Sequence, residues 1–227
     1  RQNLDNQTDN FIKAFFNTVQ LVMAGNDTAG LRYGTIKTPE KYYLQWKEQS
    51  DEEFEYILDK QIQQLLNKQR LLEIIHDFIL YDGGNKIVCR PHQYFGVKAA
   101  QSQVKEHRDG IIWHTQGSGK SLTMVWLAQW IRENVTDSRV VVITDRTELD
   151  KQITRVFNDA EEPMQRAASG ADLIDKLNRH EIPLISSLVH KFGARDDGDV
   201  DDYLEDIQKH LPKNFKAKGD IYVFVDE

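Results

Sequence analysis

One cysteine, Cys89, stands in 227 residues. A single thiol excludes an internal disulfide framework and any multi-thiolate metal site. Long apolar runs are missing as well. The longest, such as 140–143 and 221–225, are strand-sized, far short of the ~18–20 residues a membrane-spanning helix needs. Residues 1–10 are polar and read as no secretory leader. An initiator Met is missing too, so the chain is expected to be part of a longer one, working in the cytoplasm. Nor is there a basic excess: 29 Lys and Arg face 36 Asp and Glu, for a net charge of −7. That total misleads. Residues 196–206 hold seven acids and no Lys or Arg, and the rest of the chain is neutral. Nucleic-acid binding depends on local basic patches, so the total does not exclude it.

What is present is ordinary for a globular chain: 40% apolar and 29% charged residues, enough length for one large domain or two small ones. Residues 1–84 mix a hairpin with helices. A helix is expected over 9–19. Segments 19–24 and 31–36 flank Gly25-Asn26-Asp27 and read as a hairpin. Ser50 stands three residues before Glu53, a capping-box spacing, and Phe54, Ile57, Leu58, Ile62, Leu65 and Leu66 follow at helical period. A second helical run carries Leu71, Leu72, Ile75, Phe78 and Ile79. Asp82-Gly83-Gly84 ends it. From residue 85 the pattern alternates. Strands are expected over 86–89, 110–113, Arg139–Thr144, 183–186 and 221–225. Helices are expected over 93–103, 119–134, 148–157 and 171–178. Apolar strands alternating with helices imply a parallel sheet covered on both faces.

The sharpest signal is His114-Thr115-Gln116-Gly117-Ser118-Gly119-Lys120-Ser121, placed between an expected strand and an expected helix, as a phosphate-binding loop requires. Glycines let backbone N–H groups converge on phosphate oxygens, and the helix N-terminus adds a favourable field for an anion. Lys120 would reach the β- and γ-phosphates of ATP, and Ser121 would offer its hydroxyl to Mg²⁺. The strict pattern has glycine where this chain has His114, which would sense the γ-phosphate or simply pack. The strand ending in Asp226-Glu227 supplies the second half of such a site. Asp226 would hold Mg²⁺, and Glu227 would orient and deprotonate water. Upstream, Arg90 and Gln93 in Arg90-Pro91-His92-Gln93 could read adenine, because a carboxamide both donates and accepts.

Two further strand ends resemble superfamily 2 helicase motifs that meet nucleic-acid phosphates. One is Thr144-Asp145-Arg146-Thr147-Glu148-Leu149, with Thr144 and Arg146 as contacts. The other is Ser186-Ser187-Leu188-Val189-His190-Lys191, with Ser187 and Lys191. The run Asp197, Asp199, Asp201 is no EF-hand, because Asp202 stands where Gly is required and Gln208 where Glu is. It reads as a solvated loop.

Taken together, residues 112–124, 144–152 and 90–94, with 17–22 and 29–35 upstream, resemble the R (motor and nuclease) subunit of type I restriction enzymes, a superfamily 2 helicase-like family. The resemblance implies an α/β fold: a P-loop (RecA-like) lobe with a central parallel sheet over 85–227. A mixed α+β linker and nuclease tail would precede it over 1–84. It implies an ATP- and Mg²⁺-dependent translocase on double-stranded DNA, partnered by methylase and specificity subunits, with no membrane. The family's nuclease residues would lie before Arg1. Its third motif, second lobe and arginine finger would lie beyond Glu227, so this chain alone is expected to be a poor ATPase. Other readings stay open. One is a different superfamily 2 helicase or remodeller. Another is a nucleotide-gated interaction module without motor activity. A small-molecule kinase fits less well, because Arg90 and Gln93 would then have no role.

Overall fold

A computed structural model describes residues 2–7, 12–179, 181–188 and 219–226. Packing divides the chain into two compact units: Arg1–Ser102 with Gly110–Ile112, and Gln103–Asp109 with Trp113–Glu227.

In the first unit, two short helices, α1 (Gln2–Asn6) and α2 (Lys13–Phe16), precede an antiparallel sheet. Its strands β1 (Val22–Asn26), β2 (Gly30–Gly34) and β3 (Leu44–Gln45) run in that order. The expected hairpin forms, with its turn shifted toward the C-terminus. Gly25 and Asn26 belong to β1, and the Asn26 Oδ1 accepts from the Thr28 and Ala29 N–H groups. Gly30 is required where it stands: φ is +73°, and a Cβ there would lie 2.3 Å from the Gln61 Oε1. That oxygen accepts from the Leu31 N–H at 2.6 Å, and the Gln61 amide donates to the Trp46 carbonyl at 3.0 Å. Gln61 thereby joins helix α3 (Ile57–Leu65) to the sheet.

The Ser50–Glu53 capping box does not form. The Ser50 hydroxyl accepts from Glu52, and α3 starts after Tyr56 with no side-chain cap. Helix α4 (Lys68–Asp77) is capped instead by Asn67, which accepts from Gln69 and Arg70, as N-cap chemistry predicts. Ile79, expected in that helix, opens a hairpin of β4 (Ile79–Asp82) and β5 (Asn85–Val88). Gly83 and Gly84 form its two-residue turn, both at positive φ. A domain boundary at 84 would therefore cut a hairpin; by packing, the division falls after Ser102. The segment expected over 86–89 pairs antiparallel with β4 and not with the parallel sheet.

The core of this unit is aromatic. Trp46 is fully buried, with ring centroids 5.4 Å from Tyr94 and 5.6 Å from Phe95. Both partners sit near the start of helix α5 (Pro91–Lys105). Over them lies the Arg70 guanidinium, 5.2 Å from the Trp46 ring, gripped by Glu48 at 2.6 and 3.1 Å. On α4, Glu73 accepts from the Tyr94 hydroxyl at 2.8 Å and pairs with Lys98 at 3.3 Å, so one carboxylate holds α5 at two points a turn apart.

The second unit is built on helix α6 (Lys120–Asn134), strand β6 (Arg139–Thr144), helix α7 (Thr147–Asp159), strand β7 (Gln165–Arg166), helix α8 (Gly170–Leu177) and strands β8 (Leu184–Leu188) and β9 (Ile221–Asp226). The sheet is parallel throughout, in the order β7-β8-β6-β9. Strand β8 is buried along its whole length and β6 is buried but for Ile143; the apolar run 140–143 of β6 reflects this, whereas β8 also buries Ser186 and Ser187. Helix α6 buries Val125, Trp126, Leu127, Ala128, Trp130 and Ile131. One apolar cluster joins Val141 and Ile185 to Ala167, Leu173 and Ile182. Arg139, 1% exposed, donates to the carbonyls of Lys176 and Leu177 and closes the end of α8.

One expected strand is not found. Residues 110–113 pair with no strand among the described residues, and Ile111 and Trp113 are 91% and 90% exposed. A short apolar run becomes a strand only when a neighbour takes its N–H and C=O groups. The short strand β7 was not anticipated, since two polar residues carry no periodicity. Among the described residues, no helix is long and apolar enough to cross a membrane.

Candidate nucleotide site

The glycine-rich loop ends where α6 begins. Gly117 and Gly119 both have positive φ, +75° and +87°, a region that favours glycine. A Cβ at Gly117 would meet nothing within 4 Å, so the loop's outer face is open. The Ser118 N–H turns back to the Thr115 carbonyl at 3.2 Å. Thr115, Gln116 and Gly117 are exposed, Ser118 is buried, and Gly119, Lys120 and Ser121 are half-buried. Helix α6 therefore presents its first N–H groups beneath an open loop. Of the context expected for a phosphate loop, the helix is there and the preceding strand is not.

Lys120 reaches from this helix end toward β9, its Nζ 4.0 Å from the Asp226 Oδ1. The reason is topological. Strands β6 and β9 run parallel, and Thr144 lies opposite Asp226 in their register, so both strands deliver their last residues to one edge. Ligands of open α/β sheets gather at that carboxyl edge. Burial pushes the Asp226 carboxyl above the usual range; Lys120 opposes the rise and Asp145 adds to it. Asp145 is thus part of the electrostatics of this edge, a role the sequence reading missed. The signal was the register itself: the residue after Thr144 stands beside the residue that pairs with Thr144.

The donor set suits a hard divalent cation. The Asp226 carboxylate and the Ser121 hydroxyl are oxygen ligands of the kind Mg²⁺ takes, together with water and phosphate oxygens.

Arg90 and Gln93 belong to the first unit. Gln93 is buried, and its Oε1 accepts from the Arg90 N–H at 2.8 Å, closing the turn that opens α5; Arg90 is exposed. That turn is fixed from behind. The Cys89 N–H donates to the Phe78 carbonyl at 3.1 Å, and the Cys89 carbonyl accepts from the Tyr33 hydroxyl at 3.0 Å. Cys89 itself is buried, and burial pushes its thiol well above the ordinary range, so it is no nucleophile.

Of the residues expected to meet DNA, Arg146 is exposed and pairs with Asp145 at 3.2 Å. Thr144 and Ser187 are 1% and 0% exposed, with hydroxyls that lack a partner among the described residues. A phosphate cannot touch them as they stand, because β6 and β8 are the interior strands of the sheet. The start of α7, where Arg146 sits, is anchored. The Asp150 N–H donates to the Arg146 carbonyl at 3.0 Å, and the buried Asp150 carboxylate pairs with Arg166 of β7. Lys191, Glu227 and the acidic stretch 196–206 lie outside the described residues.

The family model for the SWI2/SNF2 ATPase matches residues 92–227. Among curated proteins, the chain is similar to a type I restriction enzyme endonuclease subunit (MjaIXP) of Methanocaldococcus jannaschii. The two are 32% identical over 150 residues, 61% of this chain and 14% of that one. It is also similar to the HindI endonuclease subunit of Haemophilus influenzae, 27% identical over 168 residues, covering 65% and 16%. The SauMSSORF170P endonuclease subunit of Staphylococcus aureus is 26% identical over 162 residues, covering 70% and 16%. The resemblance to type I R subunits read from the motifs therefore holds. The chain spans about a sixth of the length of these relatives or less.

Proposed function

Because this chain belongs to the SWI2/SNF2 ATPase family, we propose that it is the ATP-binding part of a motor that moves along double-stranded DNA, within a type I restriction endonuclease R subunit. The observation that carries the reading is the approach of Lys120 to Asp226 across the carboxyl edge of a parallel sheet. A cation from the phosphate loop and a carboxylate from the neighbouring strand end are what a Mg²⁺–triphosphate needs.

In this reading the loop from Thr115 to Ser121 cradles the phosphates, braced by the Ser118 N–H on the Thr115 carbonyl, and Lys120 neutralises the β- and γ-oxygens. Asp226 and Ser121 hold Mg²⁺, which would neutralise charge on the phosphate oxygens. Glu227 orients the attacking water. Arg90 is the proposed adenine contact, with the buried Gln93 carboxamide fixing the turn that carries it. Arg146 and the first N–H groups of α7 meet a DNA phosphate, and Lys191 is proposed to meet a second; the buried Thr144 and Ser187 hydroxyls do not reach one. Hydrolysis would advance the motor along one strand of the duplex. The proposed partners are double-stranded DNA and the methylase and specificity subunits, and the proposed compartment is the cytoplasm.

The test is ATP turnover by the full-length protein as DNA is titrated. Turnover is expected to rise with duplex DNA. Arg146→Ala is expected to weaken DNA binding about equally for all sequences and to reduce the salt slope of binding by about one. Binding and salt slope that match wild type would remove Arg146 from the interface. A second reading, an SWI2/SNF2-type motor outside any restriction complex, draws on the same family match. Failure to co-purify with methylase and specificity subunits would favour it.

A further inference from the structure

Four charged residues, Asp145, Arg146, Lys120 and Asp226, gather where β6 and β9 end, and Arg146 has a choice of partner. Arg146 is held by Asp145 at 3.2 Å, with the two side chains 74% and 50% exposed. Asp145 follows Thr144, which lies opposite Asp226 in the sheet register, so the backbone carries Asp145 to the same edge as Asp226. Lys120 completes the set, 4.0 Å from Asp226. Arg146 can pair with Asp145 or with a phosphate. When it pairs with Asp145, it cancels a negative charge beside the cation-holding carboxylate. When a phosphate takes it, that negative charge stands uncompensated.

We propose that Asp145 is a positioning residue that links DNA to the nucleotide site. A DNA phosphate drawing Arg146 away frees the Asp145 carboxylate, and its charge then strengthens cation binding at Asp226. This deepens the reading above and rests on it. Linkage makes the effect reciprocal: bound Mg²⁺ and nucleotide compete for Asp145, release Arg146 and tighten DNA binding by the same factor. Both side chains face water, so the factor is small, about two- to fivefold. It also shrinks as salt rises, because exposed charges are screened within about 8–10 Å.

The account predicts opposite signs for two single variants. Arg146→Ala leaves Asp145 permanently uncompensated. In the absence of DNA it is expected to bind a non-hydrolysable ATP analogue at about two- to fivefold lower Mg²⁺ than wild type, and DNA is expected to add no further gain. Asp145→Asn removes the charge. It is expected to need more Mg²⁺, again without response to DNA, while holding a fluorescent duplex more tightly because Arg146 has lost its competitor. The measurements are Mg²⁺ titrations of analogue binding by the full-length protein, with and without a short duplex, and duplex anisotropy with and without Mg²⁺ and analogue. Both side chains are exposed, and matched unfolding midpoints confirm that the variants fold.

If both variants keep the wild-type response to DNA, or if Arg146→Ala raises the Mg²⁺ requirement, the coupling is overturned while the nucleotide site stands. Lys120→Ala separates the two failures. If it binds the analogue as wild type does, the site assignment has failed and the coupling falls with it.

Discussion

Replacing Lys120 by Ala in the full-length protein is expected to lower DNA-stimulated ATP turnover by about 10²–10³-fold. That is the usual cost of removing one charge-stabilising donor from a preorganised site. Stability should barely change. The Lys120 side chain is 39% exposed and its ion pair with Asp226 spans 4.0 Å; surface substitutions of this kind stay within about 0.5 kcal/mol. A secondary effect has a definite sign. Burial already pushes the Asp226 carboxyl up and Lys120 works against it. Without Lys120, Asp226 takes its proton at higher pH, so any residual activity should fail at higher pH on the acid side than in wild type. Steady-state turnover across pH measures both. Turnover within a few-fold of wild type would remove Lys120 from the chemistry.

The largest effect on stability is expected at Trp46. It is fully buried, packs on Tyr94 and Phe95, lies under Arg70, accepts from Gln61 through its carbonyl and donates its indole N–H to Glu48 at 2.9 Å. Trp46→Ala removes the hub around which α3, α4 and α5 are arranged and should cost about 3–5 kcal/mol. Trp46→Phe keeps most of the ring volume and should cost much less. Chemical denaturation followed by far-ultraviolet circular dichroism gives both values. A loss under about 1 kcal/mol for the alanine variant would mean the cluster repacks freely.

The two halves of the chain were not equally legible, for physical reasons. In the second unit, burial turns the middle of β6 into an apolar run, so 139–144 was readable at once; 221–225 was readable from its apolar, β-branched and aromatic composition, although Val223 and Val225 are exposed. Gly117 and Gly119 were readable because a loop that presents its N–H groups needs positive φ, and glycine takes it without cost. Residues 110–113 carry the same apolar signature and form no ladder, because a strand also needs a partner, which local sequence does not encode.

In the first unit, local signals competed. Ile79 fits the helical period of Leu72 and Ile75, yet the Gly83-Gly84 turn takes it into a hairpin. Ser50 and Glu53 have capping-box spacing, yet no helix starts there. At the site, residue types were legible and accessibility was not. Thr144 and Ser187 have suitable hydroxyls, but their strands run through the middle of the sheet. Asp145 was passed over because its neighbour across the sheet lies far away in the chain.

Motion on duplex DNA is the central claim, and displacement of a triplex tests it most directly. The full-length protein, assembled with its methylase and specificity subunits, is placed on linear duplex DNA carrying a third strand far from the recognition site. The account predicts that ATP drives release of the third strand after a lag that grows with distance, and that Lys120→Ala abolishes release. ATP turnover without displacement would contradict it and leave a nucleotide-driven switch in place of a motor.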